Sequence, residues 1–250
     1  MNRSREFDVI VWGASGFTGR LVVIYLFNKY GVNGDLKWAM GGRNLNKLQK
    51  VRDEVANNEV ALVIADSDDK VSLLKMTNRT KVICTTVGPY AKYGSNLVEA
   101  CIESQIHYCD LAGEVQWMHK MINSYHESAK INGSKIVHTC GFDSIPSDMG
   151  VYFIQRESKD KTGGKAQEIK MRVAAISGGI SGGTYASLSR VLEEAQKDKT
   201  VYKILNNPYS LNPTIDQLGE DKPDLKSVIF DNASQSWIGP FIMASINTKV

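Results

Sequence analysis

The chain has 250 residues, 42% of them hydrophobic and 23% charged, with a formal net charge of +3. That balance belongs to a globular protein, long enough for one large domain or for an ordinary domain plus a smaller one. A net charge that small does not suggest nucleic-acid binding, which usually shows a clustered basic face, so nucleic acid is not an expected partner. No segment reaches the roughly 18–20 apolar residues of a membrane span. The start, MNRSREFDVIVWG, enters an apolar strand too soon for a signal peptide, so an intracellular protein is expected.

Short unbroken apolar runs alternate with helical patterns through the first 150 residues. Strands are expected at Phe7–Trp12, Leu36–Met40, Val60–Ala65, Lys81–Thr85, His107–Cys109 and Lys135–Thr139. Unbroken runs suit a parallel sheet with helices on both faces. Helices are expected at Thr18–Tyr30, apolar almost all round and so read as buried, at Ser95–Ser104 and at Glu114–Ile131. The last two carry apolar stripes. The alternation predicts an α/β fold, a doubly wound Rossmann sheet over residues 1–150.

The first strand runs into Gly13-Ala14-Ser15-Gly16-Phe17-Thr18-Gly19 and a helix follows at once. Gly13 allows the tight turn, Gly16 lets backbone approach a pyrophosphate, and Gly19 lets helix and strand pack closely. The free amides and dipole of the helix start favour phosphate charge. Three glycines alone are weak evidence; the strand before them and the helix after them raise the odds.

An NAD site usually places Asp or Glu about 20 residues past the glycines. Here the second strand leads instead to Trp38-Ala39-Met40-Gly41-Gly42-Arg43-Asn44. Arg43, with Lys47 one turn on, suits a ribose 2′-phosphate, so NADP is the expected cofactor and NAD the lesser candidate. Asp66, closing the third strand, can accept from an adenine amino group or cap the helix that begins near Ser67.

After the fourth strand, Val87-Gly88-Pro89-Tyr90 lies at the carboxyl edge of the sheet, where α/β ligands bind. Gly88 brings backbone close and Pro89 stiffens the turn. Tyr90 can face a nicotinamide or donate to substrate; as a packed aromatic it would do neither. Asp110 and Glu114 can act as an acid–base pair, although Glu114 in a first helical turn is favoured by the dipole alone. Asp143 and Ser144 can orient substrate or stabilise their turn.

The four cysteines, Cys84, Cys101, Cys109 and Cys140, have no CxxC spacing and lie in apolar segments, so buried reduced thiols are expected. They form no zinc-ligand arrangement with the histidines. His107 and His138 are expected in or near the core, His119 and His126 towards solvent. Beyond residue 150 the expectation is a polar linker or hairpin at residues 158–167, a strand at Ile169–Ile176, a glycine-rich turn at Ser177–Gly183, a helix at Thr184–Lys197, loop from Asn206 to Lys226 and an apolar-aromatic end from Ser236.

Together the Gly13–Gly19 loop, Gly42-Arg43-Asn44, Thr85–Tyr90 with Tyr93-Gly94, His107–Glu114 and Gly141–Asp148 resemble the saccharopine dehydrogenase-like oxidoreductases. The GASGFTG form of the loop is similar to the trans-acting enoyl reductase branch. The resemblance implies an NAD(P) domain followed by part of an α/β substrate domain at residues 151–250. It implies hydride transfer to or from a C=C or C=N bond, on a small-molecule or lipid-linked substrate. Tyr90 and Asp143 are the catalytic candidates. Family members run well past residue 250, so a shortened chain is expected. A longer C-terminal region would offer a route to a membrane or lipid-droplet surface, and a homo-oligomer stays open. The competing readings are a non-catalytic nucleotide-binding scaffold and an imine reductase of the saccharopine type.

Overall fold

The computed structural model describes residues 4–55, 59–142, 144–179, 182–212 and 224–249. Strand β1 (Phe7–Trp12) leads to α1 (Phe17–Tyr30), β2 (Trp38–Gly42), α2 (Leu45–Val55), β3 (Ala61–Ile64), α3 (Lys70–Thr77) and β4 (Thr80–Thr85). Then come α4 (Tyr90–Tyr93), α5 (Ser95–Glu103), β5 (His107–Cys109), α6 (Val115–Asn132) and β6 (Ile136–Val137). Among the described residues these strands form a six-stranded sheet in the order β3-β2-β1-β4-β5-β6, every neighbouring pair parallel. The chain winds outward from β1 to β3, then returns to lay β4 on the other side of β1. That reversal leaves a crevice at the carboxyl ends of β1 and β4, the place where doubly wound sheets take ligands.

Alternate side chains of the strands fill two apolar layers. Ile10, Trp12, Ile83 and Tyr108 join Leu73, Leu97 and Met118 on one face. Val11 and Met40 join Val23 and Leu48 on the other. Each such large side chain contributes about 1.5–3 kcal/mol by leaving water.

Beyond the sheet, α7 (Ile145–Thr162) starts with Pro146 in its first turn and ends on Gly163, which takes the left-handed φ of 74° that glycine tolerates. Helices α8 (Gly182–Lys197) and α9 (Lys199–Asn206) follow, then an antiparallel hairpin of β7 (Ile229–Asp231) and β8 (Ser236–Ile238), and the short α10 (Ala244–Asn247). Ile204, Leu205, Leu211 and Ile246 from these segments pack against the larger core layer. Among the described residues no helix is long and apolar enough to cross a membrane.

Several expectations are corrected. Strand β2 runs through Gly41 and Gly42 instead of stopping at Met40. A Cβ at Gly41 would lie 2.9 Å from Ile10 Cγ2, so β1 crowds out any side chain there. Helix α1 is not buried all round: Val22, Val23, Leu26 and Phe27 pack inward, whereas Leu21 and Tyr25 are exposed. Half of the expected linker at residues 158–167 belongs to α7. Ile169–Ile176 is not a strand, because none of the described strands lies beside it to accept its ladder bonds. Part of the expected loop, Asn206–Lys226, lies outside the described residues, at 213–223. His119 is half-buried, its Nδ1 2.6 Å from the Ser210 carbonyl oxygen.

Candidate functional site

The turn from β1 into α1 is tied to both neighbouring strands. The amides of Gly13 and Ala14 donate to the Gly41 carbonyl on β2, at 3.0 and 3.1 Å. On the other side, the Thr86 amide donates to the Trp12 carbonyl at 2.9 Å. Gly13 has φ +87°, and a Cβ there would meet Val87 Cγ2 at 2.6 Å. Glycine is therefore required twice over, and the half-buried Val87 locks the β4 turn against the β1 turn. Gly19 is required by packing alone, because its Cβ would fall 2.1 Å from the Gly13 carbonyl oxygen.

Gly16 is different. A Cβ there meets the Gly13 carbonyl oxygen at 3.3 Å and nothing else within 4 Å. Gly16 is the N-cap of α1, and no side chain caps this helix start. Ser15, Gly16 and Phe17 are exposed, Thr18 is half-buried, and Ala14 is buried beneath them. Crowding inside the protein explains Gly13 and Gly19, whereas Gly16 keeps bare backbone facing outward with uncapped amides behind it. This is the geometry that a diphosphate fits.

Arg43 follows β2 directly and is exposed, with no ion pair or hydrogen bond of its own among the described residues. Asn44 holds the start of α2 through its Oδ1, which accepts from the Lys47 amide at 3.0 Å. Asp66 does not cap α3. Its Oδ1 accepts from the Asp68 amide at 3.0 Å within the turn, and the cap is Asp69, which accepts from Val71. The cap falls to Asp69 because that residue, immediately before Lys70, has the extended backbone a cap needs.

In the β4 turn, Val87, Gly88 and Pro89 are half-buried and Tyr90 is buried. The Gly88–Pro89 peptide is cis. The Tyr90 hydroxyl donates to the Thr85 carbonyl and accepts from the Leu111 amide, both at 3.4 Å, and its ring lies 5.5 Å from that of Trp117. Burial and the Asp110 carboxylate push its phenol well above the usual range. Tyr90 is thus the packed aromatic of the two readings, a weak proton donor turned into the protein.

Glu114 is the group that builds this turn. It is fully buried, and its two oxygens accept the amides of Tyr90 at 2.7 Å and Ala91 at 2.8 Å. The Ser187 hydroxyl of α8 donates to the same carboxylate at 2.8 Å. Gln116 Nε2 donates to Glu194 of α8 at 3.0 Å. Together these bonds bring α8 over the end of β4, beside Gly88. Glu114, expected to answer the dipole of its own helix, serves the start of α4 instead.

Asp110 is buried beside it at the end of β5, but the two carboxylates have separate partners. Asp110 accepts from the Tyr108 hydroxyl at 2.9 Å and from the amides of Ala112 and Thr139 at 2.9 and 3.0 Å, and it pairs with His138 Nδ1 at 2.7 Å. His138 is nearly buried, as expected of it. Asp143 lies outside the described residues.

Comparison with known proteins places the chain in a family. The family model described as the saccharopine dehydrogenase NADP binding domain matches residues 9–137. The trans-acting enoyl reductases of Mycobacterium ulcerans and of Mycobacterium tuberculosis are each 34% identical over 257 aligned positions. Those alignments cover 98% of this chain and 60% of each relative, so the chain spans less than two thirds of their length. A solved structure, apo saccharopine dehydrogenase (L-Glu forming) from Saccharomyces cerevisiae, is similar at 17% identity with a TM-score of 0.49, covering 60% of this chain and 32% of that one. The match across β1 to β6 supports NADP as the cofactor, and on it the chain belongs to the saccharopine dehydrogenase NADP-binding domain family.

Proposed function

We propose that this chain is the NADP-binding portion of an oxidoreductase that moves a hydride to or from a C=C bond of a lipid-linked substrate. The observation that carries the reading is Gly16, an exposed glycine whose Cβ would meet the Gly13 carbonyl oxygen alone, placed at an uncapped helix start in the crevice between β1 and β4. The cofactor class follows from Arg43, an exposed guanidinium without a partner, just past the end of β2.

In this reading Gly13 to Gly19 bind the diphosphate through backbone amides, and Arg43 binds the 2′-phosphate by charge-assisted hydrogen bonds. The nicotinamide, when bound, supplies or accepts the hydride. Val87, Gly88 and Pro89 form the wall at its reactive end, held in place by Glu114, while α8 covers that wall and limits water there. Asp66 is left to its turn. The C=C bond is favoured over C=N by the names of the mycobacterial relatives. A substrate domain begun within residues 151–250 belongs to the same reading, with α7 running unbroken through residue 150 as the join between the two. Association with a lipid surface or with a second copy would depend on the whole protein.

The test is a fluorescence titration with NADPH and NADH, followed by NADPH oxidation with a long-chain enoyl thioester. Tight NADPH binding with enoyl-dependent oxidation supports the reading. Binding without turnover on any enoyl substrate would favour a nucleotide-binding scaffold, and no affinity for either coenzyme would overturn the site.

A further inference from the structure

The sequence scatters Cys84, Cys109 and Cys140, but the sheet gathers them. Cys84 and Cys109 are register partners on the parallel strands β4 and β5. Directly paired positions on neighbouring strands lie about 4.8 Å apart and point to the same face. Cys140 follows β6 and is brought alongside by its amide, which donates to the Asp110 carbonyl, the residue next to Cys109. The register and that amide bond set the three residues in a row, Cys84, Cys109 and Cys140, and the Cys140 thiol donates to the Val137 and His138 carbonyls at 3.6 and 3.7 Å. Exposure rises along that row: Cys84 and Cys109 are half-buried and Cys140 is exposed, which overturns the expectation that all are buried. Cys101, in contrast, is fully buried in α5. Among the described residues no group of His, Cys, Asp or Glu side chains is placed to hold a metal ion.

We infer that Cys140 and Cys109 form a thiol oxidation site, Cys140 reacting with a small hydroperoxide and Cys109 resolving the product as a disulfide. Contact with Cys109 holds the Cys140 thiol below its ordinary value against burial and the Asp110 carboxylate, and the same contact pushes the Cys109 thiol up, so Cys140 is the sulfur that attacks first. In the first step the Cys140 thiolate attacks the peroxide. An S–O bond forms, the O–O bond breaks, two electrons pass from sulfur to oxygen, and the alcohol (or water) leaves with one proton. In the second, the Cys109 sulfur attacks the Cys140 sulfenic acid. The S–S bond forms, the S–O bond breaks, and water leaves with the proton of Cys109.

The experiment treats the 250-residue chain with hydrogen peroxide and locates the products by fragment-ion mass spectrometry. The expected result is a Cys109–Cys140 bridge, reversed by dithiothreitol. Cys109→Ser should then trap a dimedone adduct at Cys140, and iodoacetamide should label Cys140 at least about 100-fold faster than Cys101. A bridge formed solely between Cys84 and Cys109, or Cys140 passing to sulfinic acid without bridging in the unmodified chain, would overturn the inference. The mapping of the unsubstituted chain decides the matter even if Cys109→Ser folds poorly.

Discussion

The carboxylate of Glu114 holds the backbone of Tyr90: the Tyr90 amide donates to its Oε1 at 2.7 Å across 24 residues of sequence. With the Ala91 amide and the Ser187 hydroxyl, one buried side chain satisfies three donors from two other helices. Glu114→Ala leaves all three without an acceptor, at about 1–3 kcal/mol for each buried group stranded. A thermal melt should show a large fall for Glu114→Ala and a smaller one for Glu114→Gln, which keeps one acceptor oxygen. Equal, small shifts in both variants would show that the carboxylate does not organise the turn.

The glycines of the first turn should separate by function. Gly19→Ala forces a Cβ into the Gly13 backbone and should lower stability by about 1–3 kcal/mol or more. Gly16→Val brings its Cβ 3.3 Å from the Gly13 carbonyl oxygen and replaces a glycine N-cap, so it should cost about 1 kcal/mol, less than Gly19→Ala, while NADPH binding is lost. If Gly16→Val binds NADPH with undiminished affinity, the diphosphate does not sit there.

Arg43→Ala should weaken NADPH binding by roughly 1.5–3 kcal/mol, or about 10- to 150-fold in Kd, through loss of a charge-assisted contact. NADH, which lacks the 2′-phosphate, should bind the variant and the parent alike. Calorimetric titration of both coenzymes measures the difference directly, and parallel losses would mean that Arg43 does not read the ribose.

The Asp231 carboxyl at the end of β7 is held down at about 2, mainly by the Ser234 hydroxyl, with help from the Ser234 amide and the Arg172 guanidinium 2.6 Å away. Its folded value lies below the ordinary 3.8 of aspartate. The contribution to stability is therefore complete above that ordinary value and is lost as pH falls through about 2. An NMR titration of the carboxyl should give a midpoint near 2, rising more in Ser234→Ala than in Arg172→Ala. A midpoint in the ordinary aspartate range in the parent chain would show that these bonds do not persist in solution.

Much of the sheet was legible because each parallel strand is a short apolar run between helices; β5 matches its expected bounds of His107–Cys109. The first glycine turn was legible for the same local reason. What escaped notice depends on neighbours distant in sequence. Gly41 and Gly42 look like a loop until β1 is laid beside them. Ile169–Ile176 has strand composition but no strand beside it to complete its hydrogen bonds. Helix α1 is apolar on all sides, and composition cannot say which side the sheet covers. Glu114 and Asp110 were visible as a nearby pair of acids, yet the amides each one serves come from other elements. Cys140 meets Cys109 only through the register of β5 and β6.

The order of the sheet also bears on how the protein is made. Strand β1 is synthesised first and ends in the middle, flanked by β2 and by β4, whose register joins Phe7 to Thr80. A nascent chain carrying only β1 to β3 exposes one whole flank of its central strand, with the Val82 and Ile83 that will cover it still to be translated. Closing that gap depends on long-range pairing, which is intrinsically slow. A chain truncated before β4 should therefore leave one flank of β1 unpaired and be more prone to edge-to-edge association than the whole sheet.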